Sequence, residues 1–494
     1  MSILFDPNDI QVSSKHFIDG QWNDGNDDYI SVIRPSDLQE QGVIANGTAH
    51  SVDLAVGAAR NAFNHSGWAT QPPRERASVL RRWADLIDKH ADEIAKLESA
   101  VSCRVFYEVS KRDVRVVSNC LRFYAEYSDK VDGRVTSTPN DVLSLTLSEP
   151  WGVVAAIVPW NFPLILSAWK FAPALAAGNC VVMKPSELTP YSVARIAELA
   201  IEAGLPAGVF NIIQGTGASA GSALTKHPDV NYITFTGSTA TGAQIMSDAA
   251  FHGLKPVSLE LGGKGPQVVF ADAPSLDIAA RMVAIGVAYN AGQVCFAGSR
   301  LVVEESIADE FITKVSRIMS VFNAGTTWDE NTKLPPIISS KQASRMDNIV
   351  KTSISQGAEL VCGGEVFNGS NGAYHYKPTI LNKVSTDMTV YKEEVFGPVL
   401  AVQTFKTFEE AIELSEHPMF GLAASVHTQN INKAISAARK IQAGTIWIND
   451  WGRRSDLTSP FGGYKQSGIG KDVGLSGYLK YRKTKAVWFQ TQTL

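Results

Sequence analysis

The sequence predicts an α/β protein with two mostly parallel sheets. Two observations carry that prediction. From residue 152 onward short apolar runs alternate with helical stretches, the pattern of strand, crossover helix and parallel strand. A second alternation of the same kind begins after residue 266. At about 150 residues per domain, a chain of 494 residues has room for two or three domains.

The N-terminal part reads as mostly helical. Residues 51–64 open on Ser51, a helix-starting residue, and continue with helical apolar spacing. Residues 73–102 form one long amphipathic stretch, with Val79, Leu80, Trp83, Leu86, Ile87, Ile94 and Leu97 on one side. Residues 112–131 predict a third helix. In 142–147, Leu143, Leu145 and Leu147 alternate with Ser144 and Thr146. That is a half-buried edge strand, suited to a protruding hairpin that pairs with another subunit.

The first alternation places strands at 152–158, 179–183, 209–213, 232–235 and 257–261, with helices at 164–177, 191–203, 219–226 and 239–250. Parallel sheets bind ligands beyond the carboxyl ends of their strands, so chemistry is expected there. The second alternation places strands at 267–270, 300–303, 399–405, 423–426 and 445–448, and residues 368–372 read as a loop.

Composition excludes several classes. With 45% hydrophobic and 19% charged residues the chain is neither disordered nor a coiled coil. A net charge of −4 gives no electrostatic reason for a nucleic-acid or membrane-surface partner. The five cysteines are odd in number, and none forms a C-x-x-C pair. This argues against a disulfide framework and a zinc ribbon, and for a reducing, cytoplasmic compartment. The N-terminus has no basic secretory leader. Residues 151–169 are apolar enough to suggest a membrane span, but Gly152, Pro159, Asn161 and Pro163 interrupt them. No histidine falls in a metal-ligand spacing, so no metal site is expected.

Several motifs can carry chemistry. Gly217-Ala218-Ser219-Ala220-Gly221 matches a nucleophile elbow, which leaves a serine hydrolase using Ser219 as one reading. The same stretch also reads Gly215-x-Gly217-x-x-Ala220, a dinucleotide fingerprint. Phe235-Thr236-Gly237-Ser238 leads from a strand into a helix, where free N–H groups suit a phosphate. Lys184 and Glu187 close another strand. Glu260, beside Gly262 and Gly263, ends a strand and suits a general base with a raised pKa. Cys295 lies between Gly292 and Gly298, with the space a thiol nucleophile needs. Each feature also has an ordinary structural reading as a turn, a solvated carboxylate or a buried thiol.

Their order resembles the aldehyde dehydrogenase superfamily: Pro159-Trp160-Asn161-Phe162-Pro163, Lys184-Pro185-Ser186-Glu187, Phe235-Thr236-Gly237-Ser238, Leu259-Glu260-Leu261-Gly262-Gly263-Lys264, Gly292-Gln293-Val294-Cys295, Glu393-Glu394-Val395-Phe396-Gly397-Pro398 and Pro460-Phe461-Gly462-Gly463-Tyr464-Lys465-Gln466-Ser467-Gly468. The stretch from Tyr464 to Asp472 is most similar to the bacterial branch that includes γ-glutamyl-aminobutyraldehyde dehydrogenases.

The resemblance implies NAD-dependent oxidation of an aldehyde to its acid. It implies Cys295 as nucleophile, Asn161 and the Cys295 N–H as oxyanion hole, and Glu260 as the base for the hydrolytic water. It implies Trp160, Lys184, Glu187, Gly237, Ser238, Glu394 and Phe396 at the cofactor, and Val116, Phe162, Trp169, Tyr289, Phe296, Trp451 and Phe461 around a medium-size aliphatic or aromatic aldehyde. An alternative substrate is an amino- or γ-glutamyl-amino-aldehyde of polyamine breakdown.

The implied architecture is a Rossmann-like NAD-binding domain (1–130 and 150–261), an α/β catalytic domain (262–465) and an oligomerisation hairpin with a C-terminal strand (131–149 and 478–494). A homodimer or homotetramer is expected. Three positions depart from the family pattern. Asp472 replaces a common Glu. Arg453 and Arg454 make a loop more basic than usual, which would suit a tail ending in a carboxylate.

Overall fold

The computed structural model describes residues 2–369, 371–453 and 455–491. The apolar runs of the first alternation are the strands Val153–Ile157, Cys180–Lys184, Phe210–Ile212, Tyr232–Thr236 and Val257–Glu260. Four of them are buried at every residue, as strands covered on both faces must be. They pair in parallel, in the order Phe210–Ile212, Cys180–Lys184, Val153–Ile157, Tyr232–Thr236, Val257–Glu260. Short antiparallel strands extend both edges, Gly468–Ile469 on the Val257–Glu260 side. The chain leaves Val153–Ile157 toward one edge and returns to lay Tyr232–Thr236 on its other side. The order reverses there, which opens a crevice beyond the carboxyl ends.

The membrane-like stretch resolves into a buried strand, a turn, and the helix Pro163–Ala176, in which every residue except Ile165 is buried. Pro163 sits in its first turn, where no N–H is needed. Among the described residues no helix is long and apolar enough to cross a membrane.

The five strands of the second alternation, joined by Glu359–Cys362 and Thr379–Asn382, which the sequence did not announce, form a seven-stranded sheet in the order Glu359–Cys362, Thr379–Asn382, Val399–Phe405, Arg300–Glu304, Pro266–Val269, Ala423–His427, Thr445–Ile448. Only the edge strand Glu359–Cys362 pairs antiparallel. The expected 368–372 loop joins Val366–Asn368 to Tyr374–Tyr376, with Ser370 outside the described residues.

The third sheet is antiparallel, with Val142–Pro150 between Arg134–Thr136 and the C-terminal strand Arg482–Gln490. Its leucine face is the outward one. Leu143 and Leu147 are exposed while Ser144 is buried, the reverse of a strand packed on its own core.

The N-terminal region departs from the helical expectation. His16–Ile18 pairs with Gln21–Asn23, and Tyr29–Ile33 with Glu40–Ala45. These strands are short, and one of them is anchored by Phe17 pairing with Ile212, a contact that local periodicity cannot announce. The helix over 51–64 is Ala49–His65. The stretch 73–102 breaks at His90 into Pro73–Lys89 and Ala91–Val101. The third helix is Val114–Tyr127, entered through a π-helical turn at Val109–Asp113. Trp83 locks these helices to the first sheet through Phe171 and Phe210, ring centroids 5.0 and 5.6 Å away.

Candidate active site

Cys295 follows a turn that is costly to make. Asn290 and Ala291 both lie in the left-handed region, at φ 51° and 52°, at about 1–3 kcal/mol each. Buried side chains hold the turn. Asn290 Nδ2 donates to the carbonyls of Asn161 (3.3 Å) and Gln293 (3.4 Å), and Arg104 Nη1 donates to Asn290 Oδ1 (3.3 Å). Gln293 Nε2 donates to the Asn290 and Pro336 carbonyls, and its Oε1 accepts the Ile338 N–H. Gly263 is required by contact: a Cβ there would stand 2.3 Å from the Cys295 carbonyl oxygen.

Asn161 Nδ2 donates to the Gln293 carbonyl at 3.0 Å, which orients the amide beside the cysteine loop. Burial, reinforced by the negative charges of Glu394 and Glu260, pushes the Cys295 thiol up to about 12, against the pull of the Phe296 and Cys295 N–H groups. At neutral pH the sulfur therefore carries its proton and needs a base. All five cysteines are free. Cys103, Cys120 and Cys180 are buried, whereas Cys295 and Cys362 are partly accessible.

Glu260 ends its strand 3% exposed, and neither carboxylate oxygen has a hydrogen-bond partner. Burial, then the nearby Asp472, raises its pKa well above the carboxylate range, with Lys170, Lys480 and Lys471 opposing. Asp472 is fully buried, bonded to Lys170 Nζ at 2.6 Å and to Lys480 Nζ. Burial raises Asp472, but the two ammonium groups more than offset it and keep it charged.

Two cavities meet at Cys295, and Glu260 belongs to the lining of neither. One, of about 330 Å³, is lined by Trp160, Asn161, Gly237, Ser238, Glu394 and Phe396 as well as Cys295. Trp160 and Phe396 meet edge-to-face at 5.4 Å. Glu394 accepts the Gly263 N–H at 2.9 Å, and burial raises its carboxyl to about 7. Ser238 caps the helix Thr239–Phe251 by accepting the Thr241 N–H. Lys184 and Glu187 lie at the next strand end, outside the lining of this cavity. Lys184 Nζ donates to the Pro185 carbonyl (2.8 Å), the Gly215 carbonyl (2.9 Å) and Glu187 (3.4 Å).

The other cavity, of about 310 Å³, is lined by Val116, Phe162, Trp169, Tyr289, Phe296, Trp451 and Phe461, all seven of the expected residues. Arg112, Met282, Ile285 and Leu457 also line it and had no sequence signal. Arg453 lines it too; Arg454 lies outside the described residues. Among the described residues, only Leu166 and Cys295 belong to both cavities.

The serine-hydrolase reading fails on geometry. Ser219 Oγ donates to the Gly47 carbonyl at 2.7 Å, and its N–H is taken by Thr216. Among the described residues no histidine bonds to it, and no cluster of His, Cys, Asp and Glu suits a metal ion.

Comparison with known proteins agrees with this geometry. The profile of the aldehyde dehydrogenase family matches residues 22–487. The chain is 39% identical to the NADP/NAD-dependent aldehyde dehydrogenase PuuC of Escherichia coli over 484 residues, covering 98% of this chain and 97% of that protein. The indole-3-acetaldehyde dehydrogenase AldA of P. syringae, solved with NAD+ and IAA, superposes with a TM-score of 0.95 at 40% identity, covering 98% of both chains. The γ-glutamyl-γ-aminobutyraldehyde dehydrogenase of Burkholderia cenocepacia superposes with a TM-score of 0.95 at 39% identity, again over 98% of both chains. With its thiol at the junction of two cavities and a profile match over nearly its whole length, the chain belongs to the aldehyde dehydrogenase family.

Proposed function

We propose that the protein oxidises an aldehyde to its carboxylic acid, with NAD as hydride acceptor and Cys295 as nucleophile. The observation that carries this is Cys295 in the shared wall of two cavities, one mostly apolar and one bounded by a helix N-terminus and the Glu394 carboxylate. Sulfur can then face an aldehyde on one side and a cofactor on the other.

The residues fit a nicotinamide dinucleotide. The crevice lies where the strand order reverses, and the N–H groups after Gly237 and Ser238 open a 13-residue helix. Glu187 supplies a carboxylate, its side chain 36% exposed, for ribose hydroxyls, with Lys184 Nζ holding it. Glu394 and Phe396 serve the nicotinamide end. Bound NAD supplies the hydride acceptor; the remaining chemistry belongs to the chain.

Cys295 Sγ passes its proton to solvent and adds to the aldehyde carbon, giving a tetrahedral thiohemiacetal oxyanion. This oxyanion takes the Cys295 N–H and the Asn161 amide, which the Gln293 carbonyl has already oriented. Loss of hydride leaves a thioester on Cys295. Glu260 then removes a proton from the water that attacks the thioester, releasing the acid and the thiol. Glu260 is suited to this because both oxygens are unpartnered in a buried setting. The test is aldehyde-dependent growth of NADH absorbance. Absence of NADH with every member of a chemically varied aldehyde panel overturns the reading.

NAD should be preferred to NADP. A carboxylate at Glu187 repels a 2′-phosphate by on the order of 1–3 kcal/mol, about 5- to 150-fold in kcat/KM. Glu187→Ser should narrow the gap; equal kcat/KM for the two cofactors in the unaltered protein refutes this assignment.

We assign 1–130 and 150–261 to the cofactor domain, 262–465 to the catalytic domain, and 131–149 with 478–494 to an oligomerisation element. Leu143, Leu147, Trp488 and Phe489, exposed on that third sheet, support a homodimer or homotetramer. Five free cysteines support a reducing compartment such as the cytoplasm. The apolar cavity supports a medium-size aliphatic or aromatic aldehyde. Likeness to a γ-glutamyl-γ-aminobutyraldehyde dehydrogenase keeps the polyamine-type alternative in view.

A further inference from the structure

We propose that Arg104 is a positioning residue for the oxidation: it fixes the side-chain amide of Asn290 and, through that amide, the oxyanion donor Asn161. The inference rests on the reading of Asn161 as an oxyanion donor.

Arg104 is 1% exposed and lies between two neighbouring pairs of residues, Asn161–Phe162 and Tyr289–Asn290. Its Cζ stands 4.4 Å from the Phe162 ring centroid and 5.3 Å from that of Tyr289. Its Nη2 donates to the Tyr289 hydroxyl at 2.9 Å and pairs with Glu108 at 2.8 Å, and that hydroxyl itself donates to Glu108 at 2.7 Å. Its Nε donates to the buried Asp113 at 2.8 Å, a residue delivered by the π-helical turn Val109–Asp113. Burial opposes the charge on Arg104, but Asp113, Tyr289 and Glu108 more than offset it, so the guanidinium stays ionised. Held on two sides in this way, it presents Nη1 to Asn290 Oδ1, 3.3 Å away.

A guanidinium can only donate, whereas an amide has a donating and an accepting end. Arg104 therefore dictates which end of Asn290 faces it, and Nδ2 is turned the other way. There it donates to the carbonyls of Asn161 at 3.3 Å and Gln293 at 3.4 Å. The reversed amide would set its NH2 against the guanidinium and its oxygen against two carbonyls. The Gln293 carbonyl is also the one that receives Asn161 Nδ2 at 3.0 Å. One nitrogen of Asn290 thus pins both the backbone of Asn161 and the acceptor of its side chain.

The grip matters because the turn is strained. Asn290 and Ala291 are both left-handed, a conformation that persists only where the surroundings over-determine it. Without Arg104 the amide is free to turn and the backbone to relax. A shift of about 1 Å in a positioned group costs about 100-fold in rate. Arg104, Tyr289 and Asn290 lie outside the lining of the cofactor cavity, so NAD should bind as before.

The test reads the first turnover of NADH by stopped flow, with enzyme in saturating excess over aldehyde. It compares the intact protein, Asn161→Ala, Asn290→Gly and the paired variant Arg104→Gln/Asp113→Asn, which removes both buried charges together. Glycine at 290 accepts the left-handed backbone, so only the amide is lost. Asn290→Gly and the paired variant should each slow the first turnover about ten- to hundredfold, with NAD affinity unchanged by tryptophan fluorescence. Adding the paired change to Asn290→Gly should cost no more than about twofold further, because Arg104 acts through that amide. Losses that multiply in full, or a parallel loss of NAD affinity, overturn the proposal. An unaltered first turnover in Asn290→Gly overturns it as well, whether or not the paired variant folds. Asn161→Ala separates the two readings. If it leaves the first turnover intact, the oxyanion assignment falls and the proposal with it. If it slows the first turnover about 100- to 1,000-fold while Asn290→Gly is unaltered, the positioning role alone fails.

Discussion

Cys295→Ala abolishes aldehyde-dependent NADH formation, with a loss of about four orders of magnitude or more. The reason is covalent: no other group among those lining both cavities can add to a carbonyl and hold the resulting thioester. Ala at Cys103, Cys120 or Cys180 acts through packing instead, because these thiols are enclosed in the core and burial holds them protonated. Steady-state NADH formation by each purified variant, with a thermal melt to verify folding, checks the contrast. Substantial turnover by Cys295→Ala would sink the mechanism. Cys362 is the informative control, since it is the other partly accessible thiol. An alkylating agent should inactivate the protein in step with modification of Cys295 and not of Cys362.

Glu260→Gln should yield a burst of about one NADH per active site, followed by turnover reduced about 100- to 1,000-fold. Acylation survives because the nucleophile and the oxyanion donors are untouched. Deacylation stalls because an amide cannot take the water's proton. The pH dependence follows from the signs of the shifts. Glu260 is raised well above the carboxylate range, and the Cys295 thiol stands near 12, so the reactive, deprotonated forms of both accumulate as pH rises. The rate of the unaltered protein should therefore climb from acid through neutral to alkaline pH. Removing the Glu260 charge also takes away part of what raises the thiol, so the burst phase of Glu260→Gln should shift to lower pH. Rapid-mixing measurement of NADH across pH decides this. A variant that binds NAD but shows no burst would mean that Glu260 acts first on the thiol.

Much of this site was legible in the chain because its parts sit at strand ends. Trp160, Asn161, Lys184, Gly237, Ser238 and Glu260 each follow a continuous apolar run, and a parallel sheet must bring such positions to one edge. Six residues taken from family position line one cavity together with Trp451 from the loop before Phe461. The elbow at Gly217–Gly221 was equally legible and misleading. A nucleophile needs a base beside it, and Ser219 is occupied by the Gly47 carbonyl.

What the sequence determined by itself was the two parallel sheets, the boundaries of the strands it placed within about a residue or two, and Cys295 and Glu260 as candidates, with Asn161 added by the family resemblance. Those properties are local: apolar runs make buried strands, and glycines and carboxylates at their ends mark the crevice. Only the tertiary structure decided which distant groups complete the site. Arg104 reaches Asn290 across 186 residues, and Lys170 reaches Asp472 across 302. The N-terminal strands likewise exist by pairing, as Phe17 does with Ile212. The orientation that Arg104 imposes on the Asn290 amide is visible only when burial and every potential partner are known together. Burial and hydrogen-bond satisfaction belong to the packed chain, and no window of sequence contains them.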